Sequence, residues 1–249
     1  MHRLLRLFFL TCLCWQAAAA AYALELLTED DAPHNMLQNG KIAGSAADKL
    51  ELAFRRAGVA QHMELVPWAR AYRSALTQEG YCAFSTARTS AREALFKWIG
   101  PVAAMDWVLY SRADNPAPPP AKLDDVRQEI IGGYWQDVIS LWLSAQGFQV
   151  DSATKDAANP KKLLTGRINY WASSRPRASA MLEKVGLSAH IKPVLTFGHT
   201  DLYLACHRTI ADETVHKLNL ALKRMQEDGS AAGIEARYAH WPAVKNGPV

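Results

Sequence analysis

An α/β fold is predicted for this chain of 249 residues: two units, each a mainly parallel sheet flanked by helices. Three observations carry that prediction. Strand-like and helix-like segments alternate in the order β-α-β-α-β. A stiff run, Asn-Pro-Ala-Pro-Pro-Pro-Ala at residues 115–121, interrupts the alternation. The pattern then restarts as a second unit of similar size, with a further strand and helices at the C-terminal end.

Residues 24–28 read as a short apolar strand, followed by an Asp-Asp-Ala-Pro turn and a glycine-containing loop. Residues 45–57 read as a helix, because Ala47, Leu50, Phe54 and Ala57 recur at helical spacing and Gly58 ends the run. A strand at 63–66 and a helix at 68–76 follow, then a strand at 81–85. A helix is predicted from near Ser90, since Ser90 and Glu93 have capping-box spacing. Residues 107–111 form the next strand. Beyond the prolines, 129–132 is a strand and 137–146 a helix with Val138, Leu141, Trp142 and Ala145 on one face. Residues 148–150 are a strand, and Asn159-Pro160 is expected to cap a short helix that ends at Gly166. Residues 168–172 are a strand, Pro176 starts a helix, and 202–206 are a strand. The helix at 213–227 turns Val215, Leu218, Leu222 and Met225 inward and ends at Gly229.

The first residues read as a processing signal. Arg3 and Arg6 accompany an apolar run at 4–15, and Ala21-Tyr22-Ala23 is an A-x-A site, so cleavage is expected after Ala23. The run is too short to span a bilayer, and no later run is long enough. Leu10-Thr11-Cys12 makes a poor lipoprotein box and comes too early. The formal net charge of +4 includes Arg3 and Arg6, so the exported chain is nearly neutral and its charge gives no support to a nucleic-acid partner. Of the four cysteines, Cys82 and Cys206 remain after cleavage. They can pair in an oxidising compartment, but both sit in strand-like apolar runs, which favours two buried thiols.

The stretch at 85–101, Ser-Thr-Ala-Arg-Thr-Ser-Ala-Arg-Glu-Ala-Leu-Phe-Lys-Trp-Ile-Gly-Pro, is the most informative. It puts Arg92 in the first turn of the predicted helix. A helix N-terminus already favours anions, so a cation there needs a reason. Free N–H groups joined to a guanidinium make a site for a carboxylate. Arg88 suits either a wider anion site or a salt bridge. Trp68, after Pro67 at a strand end, can stack on a ligand or fill the core. Tyr134, Trp135 and Asp137 follow Gly132-Gly133 and open a helix whose N-terminus could face an anion. Gly133 admits a close backbone approach, and the two aromatics can wall a cleft. Asp137, Asp30 or Asp31 can supply an anion, and Trp171 with Ser173 is expected to end a strand at the same cleft. The histidines have no metal-ligand spacing, and there is no nucleophile elbow, phosphate loop or dinucleotide fingerprint, so no catalytic residue, metal or cofactor is expected.

Two segments, Pro67-Trp68-Ala69-Arg70-Ala71 and Arg88-Thr89-Ser90-Ala91-Arg92-Glu93 with Phe96-Lys97-Trp98-Ile99-Gly100-Pro101, carry a family resemblance. The chain resembles the extracellular solute-binding proteins of the amino-acid-binding type, family 3, and above all a proteobacterial branch of it. The spacing from Gly44 to Gly58, the segment at 163–168 and the tail at 222–238 are similar as well. The resemblance implies a two-lobed type II periplasmic binding protein fold, a Venus flytrap that closes on a small solute. Lobe one would be 24–112 with 201–249, and lobe two 113–200.

It further implies that Arg92 holds a ligand carboxylate and that Ser85, with the adjoining Thr86, reaches the ligand. The family's aspartate for a ligand ammonium falls at Ser174 here, the preceding one at Asn169, and another family hydroxyl at Ala87. Asp30, Asp31 and His34 occupy the region of the usual stacking aromatic. A standard α-amino acid would therefore lack the partner for its ammonium. The expected function is that of a monomeric periplasmic receptor capturing a small carboxylate-bearing solute, an amino acid or derivative, for the permease of an ABC-type inner-membrane transporter. A membrane sensor as partner, or a cyclic-dehydratase-like enzyme on this scaffold, are the alternatives.

Overall fold

The structure is a computed structural model that describes residues 23–239. The predicted leader lies outside the described residues except for Ala23. β1 (Leu24–Thr28) leads into a hairpin of β2 (Met36–Gln38) and β3 (Lys41–Ala43). Only a loop is predicted there, yet Asn39 and Gly40 turn the chain at φ 51° and 74°, as a two-residue hairpin loop requires. α1 (Ser45–Ala57) has its predicted bounds. Leu50, Ala53 and Phe54 are buried, and the amide of Gly58 closes the helix onto the carbonyls of Phe54 and Arg55. β4 (Gln61–Leu65), α2 (Trp68–Thr77) and β5 (Tyr81–Ala87) complete a parallel β4-β1-β5 layer.

After β5 the structure departs from the prediction. No α-helix starts at Ser90; a turn leads into a single 3-10 turn at Glu93–Leu95 and then into β6 (Lys97–Arg112). The reason is distance. Lys97 lies level with Cys82, since both pair with Cys206. Residues 88–96 must therefore bring the chain back about 17 Å along β5, more than the roughly 13 Å that nine helical residues span. Ser90 caps nothing, and Glu93 pairs with Arg88 instead.

The second part of the chain forms β7 (Ile130–Tyr134), α3 (Val138–Ala145), β8 (Gln149–Ala153), α4 (Asn159–Leu164), β9 (Tyr170–Ser174) and α5 (Arg175–Lys184). Asn159 does not cap α4 but is its first residue, its side-chain amide donating to the carbonyl of Gly133 and to Asp156 instead. β10 (Ile191–Cys206), α6 (Asp212–Glu227) and α7 (Ser230–Tyr238) follow. The face predicted for α3 is corrected: Ile139 and Leu143 are buried, whereas Leu141 is 53 % and Trp142 36 % exposed. α3 lies directly on Gly133, where an added Cβ would come within 2.1 Å of Ser140 Oγ. Gly133 thus admits a helix, not a ligand, and that contact fixes which face of α3 turns inward.

The eight main strands form one sheet in the order β4-β1-β5-β10-β6-β9-β7-β8. β6 and β10, predicted as short strands at 107–111 and 202–206, are each 16 residues long and pair antiparallel along their length. One end of this pair joins β5 through Leu202 to Cys206; the other joins β9 through Trp107 to Tyr110. Between them, Ala104 to Asp106 and Asp201 to His199 pair only with each other. This two-stranded ribbon links the two halves of the sheet. Pro101, Pro193 and Gly198 break the strand pattern in sequence, and the ladder absorbs Pro193 and Gly198 in register shifts.

Each half is buried on both faces, as parallel sheets are. Leu26, Phe84, Ile99 and Leu204 pack under α1 and α6, while Leu27, Ala83, Trp98 and Ala205 pack under α2. In the other half, Leu109, Ile131 and Ala172 face α3, and Val108, Tyr110 and Trp171 face α4 and α5. Cys82 and Cys206, directly opposed on β5 and β10 and fully buried, form a disulfide with S–S 2.07 Å. Of the two readings the sequence leaves open, pairing holds and the favoured one of two buried thiols does not, because nothing in the sequence says that residues 124 apart lie on neighbouring strands. No helix among the described residues is long and apolar enough to cross a membrane.

Candidate functional site

The carboxyl ends of the parallel strands from both halves point at one place, where ligands bind in open α/β sheets. Glu29 and Asp31 follow β1, Trp68 follows β4, and Ser85 and Ala87 end β5. Asp137 and Val138 follow β7, and Arg177 follows β9. With Arg92, and with Met105 and Leu202 from the ribbon strands, these residues line a cavity of about 20 Å³. That is room for roughly one water molecule.

Arg92 sits in this cavity 8 % exposed. One of its guanidinium N–H groups donates to the carbonyl of Ala87 at 3.3 Å, and the group lies 5.0 Å above the ring of Tyr72. Among the described residues it makes no ion pair, which leaves the rest of its donor fork unmatched by protein. A guanidinium removed from water without an anion is costly, and a carboxylate matches the fork. The helix N-terminus predicted beside it is absent, so the guanidinium itself carries the anion-binding capacity. Arg88 differs: it is bound to Glu93 at 2.8 Å and stacks on Trp98 and Tyr203, which makes it structural.

The other predicted residues divide. Trp68 serves both readings, packing on Tyr72 in the core while lining the cavity. Ser85, at φ 56°, lines the cavity and donates to Asn35 Oδ1. Thr86 is fully buried and donates to the carbonyl of Ala83, away from the cavity, because side chains alternate along a strand. Tyr134 donates its hydroxyl to Glu29 Oε2 at 2.9 Å. Trp135 is 56 % exposed and lies outside the lining. Ser174 is buried as the N-cap of α5, accepting from the amide of Arg177. Trp171 and Ser173 do not line the cavity; both bind the buried carboxylate of Asp156.

Asp31 and Asp137 come together on a residue the sequence reading missed. The Arg177 guanidinium reaches Asp31 Oδ1 at 2.8 Å, Glu29 Oε1 at 3.2 Å and Asp137 Oδ2 at 3.4 Å. It also lies 5.6 Å from the centre of the Tyr134 ring. Asp137 Oδ1 meanwhile caps α3 by accepting from the amide of Ile139, which takes one of that helix's free N–H groups from within. The signal for Arg177 was visible: Arg175-Pro176-Arg177 puts cations in the first turn of a helix, the same oddity that draws attention to Arg92.

Three carboxylates share one guanidinium, and the protonation of Glu29 and Asp31 reflects it. Burial pushes Glu29 up to about 7; Arg177 opposes the rise, and Asp31 and Asp137 add to it. Burial works to raise Asp31 too, but the charge and hydrogen bond of Arg177 outweigh it and hold Asp31 below the usual carboxylate range. Burial also works against the charge on Arg177, yet the surrounding carboxylates keep it firmly protonated.

The sign of the linkage follows. With its folded pKa raised, Glu29 contributes stability that is fully present below about 4.5 and is lost as pH rises through about 7. Urea midpoints measured from pH 5 to pH 8 should show the parent protein losing stability relative to Glu29→Gln. Parallel profiles for the two proteins would rule out a buried, protonated Glu29.

Comparison with known proteins places these features in context. The profile of the bacterial extracellular solute-binding proteins, family 3, matches residues 24–240. A histidine kinase sensor domain with similarity to periplasmic binding proteins superposes with TM-score 0.79 at 16 % identity, covering 88 % of this chain and 96 % of that one. A mutant of ArgBP from T. maritima gives TM-score 0.74 at 18 % identity, covering 88 % and 95 %. The arginine-, lysine-, histidine-binding protein ArtJ from Geobacillus stearothermophilus gives TM-score 0.74 at 16 % identity, covering 87 % and 95 %. At such identities the likeness establishes the fold. No curated protein sequence matches the chain.

Proposed function

The chain belongs to the bacterial extracellular solute-binding proteins, family 3, with the two-lobed type II periplasmic binding protein fold, and on that premise we propose that it captures a small carboxylate-bearing solute by closing its lobes around it. The expected boundary at residue 112 moves to the ribbon: lobe one is residues 24–103 with 202–239, lobe two is 107–198, and the ribbon at 104–106 and 199–201 is the hinge. The observation that carries the reading is Arg92, a buried guanidinium in the interlobe cavity with no ion-pair partner among the described residues. The solute carboxylate takes the free fork of Arg92 while Trp68 walls its body.

Export to the periplasm and delivery to an ABC-type permease complete the proposal. The buried Cys82–Cys206 bond supports an oxidising compartment. Closure would equally serve a membrane sensor, a use this fold has in the histidine kinase sensor domain.

The test is native mass spectrometry of undenatured protein, followed by thermal shift with a panel of carboxylates, amino acids and polyamines. A carboxylate at a hundredfold excess over its Kd should raise Tm by about 5–10 °C. If polyamines stabilise the protein and no carboxylate does, the reading is wrong.

A further inference from the structure

We propose that Arg177 is a tethered cation filling the acidic end of the cleft, so that the solute taken there is a carboxylate whose remainder is uncharged, not an amino acid with its ammonium. The inference rests on the carboxylate reading of Arg92 and narrows it. It begins from two independent features of one cavity. Arg92 is nine-tenths buried and without an ion partner among the described residues, so it asks for an anion. The carboxylates Glu29, Asp31 and Asp137, which would otherwise ask for a cation, already have one.

All three nitrogens of the Arg177 guanidinium face carboxylates. Nε faces Asp31, one terminal nitrogen faces Glu29, the other faces Asp137, and the plane lies near the Tyr134 ring. A solute ammonium entering this end would have to displace that group or sit beside it, like charge against like charge in a site shielded from water. Displacement is opposed by covalent attachment, because Arg177 lies in the first turn of α5, whose N-cap Ser174 holds its own amide. Part of the acidic charge is also spoken for. Asp137 caps α3, and burial keeps Glu29 protonated over much of the range below neutrality.

What remains to receive the body of the solute is Trp68, Ala87, Met105, Val138 and Leu202, an apolar wall beside Arg92. The tethered cation and the apolar wall together describe a monocarboxylate with an apolar, uncharged body.

Titration calorimetry at pH 6 with matched pairs tests this: 4-methylpentanoate against leucine, 3-phenylpropanoate against phenylalanine, and arginine by itself. Wild-type protein should prefer the acid lacking an amino group by about tenfold or more and should not bind arginine. In Arg177→Ala the preference should invert, and ethylguanidinium, the missing side-chain end, should stabilise that variant and not the parent. Should Arg177→Ala not fold, the wild-type pairs still decide.

A wild-type protein that binds the amino acids as tightly as their partners, and loses them in Arg92→Ala, overturns this inference and leaves the carboxylate reading standing. One that binds neither member of any pair overturns both. An Arg177→Ala variant indifferent to ethylguanidinium also overturns the tethered-cation role.

Discussion

Arg92→Ala removes the stabilisation that a bound carboxylate confers, while the melting temperature of the protein without solute barely moves. Both halves of that expectation come from geometry. Arg92 gives the fold one hydrogen bond, 3.3 Å to the carbonyl of Ala87, and a stacking contact with Tyr72, so its loss costs little in packing. To a solute it gives a desolvated guanidinium. Truncating one partner of a buried, hydrogen-bonded charge pair costs about 2–5 kcal/mol, so affinity should fall by at least about 30-fold. Arg92→Lys keeps the charge and loses the two-pronged fork, and it should recover only part of the affinity. Thermal shift and calorimetry on the three proteins read this directly. Full affinity in Arg92→Ala would remove the carboxylate anchor and the proposed function with it.

Breaking the Cys82–Cys206 bond should be the most damaging change to the fold. The bond joins residues 124 apart. Closing a loop of that size restricts the unfolded chain by roughly 4–5 kcal/mol in the chain-entropy account, and removing such a bond from a protein costs about 2–5 kcal/mol in practice. For a domain of this length that lowers Tm by about 10 °C. Both sulfurs are fully buried, so a reductant added to folded protein should act slowly. Reduction during unfolding, or the double change Cys82→Ala with Cys206→Ala, should reveal the whole loss. The double variant should then be insensitive to reductant. If reducing and non-reducing melts of the parent coincide after full unfolding, the bond contributes no such constraint.

Arg92 and Arg177 show where sequence reading stops. Each is a cation at or near the start of a turn after a strand, and each is odd on local grounds. Arg92 stands out in sequence because it falls in the first turn of a predicted helix, and it keeps its importance although that helix is absent. Arg177 acquires meaning only from Asp31, 146 residues away, and Glu29, 148 away. The same divide runs through the fold. α1 and α6 were legible because helical periodicity and a terminal glycine are written within a few turns. β6 and β10 were not, because prolines and glycine interrupt the pattern of strands whose continuity is supplied by each other. The missing helix at Ser90 is a further case. Capping spacing favours it locally, but the distance back along β5 forbids it.

By itself, then, the sequence determined what depends on neighbours along the chain: the alternating α/β elements, the glycine that ends α1, and the cation in the stretch at 85–101. Only the tertiary structure decided what depends on neighbours in space. It brought Cys82 against Cys206, drew Glu29, Asp31 and Asp137 around Arg177, and left Arg92 without an ion partner among the described residues. The physical reason is that backbone propensity acts over a few residues, whereas ion pairing and desolvation act over a few ångströms, whatever the separation in sequence.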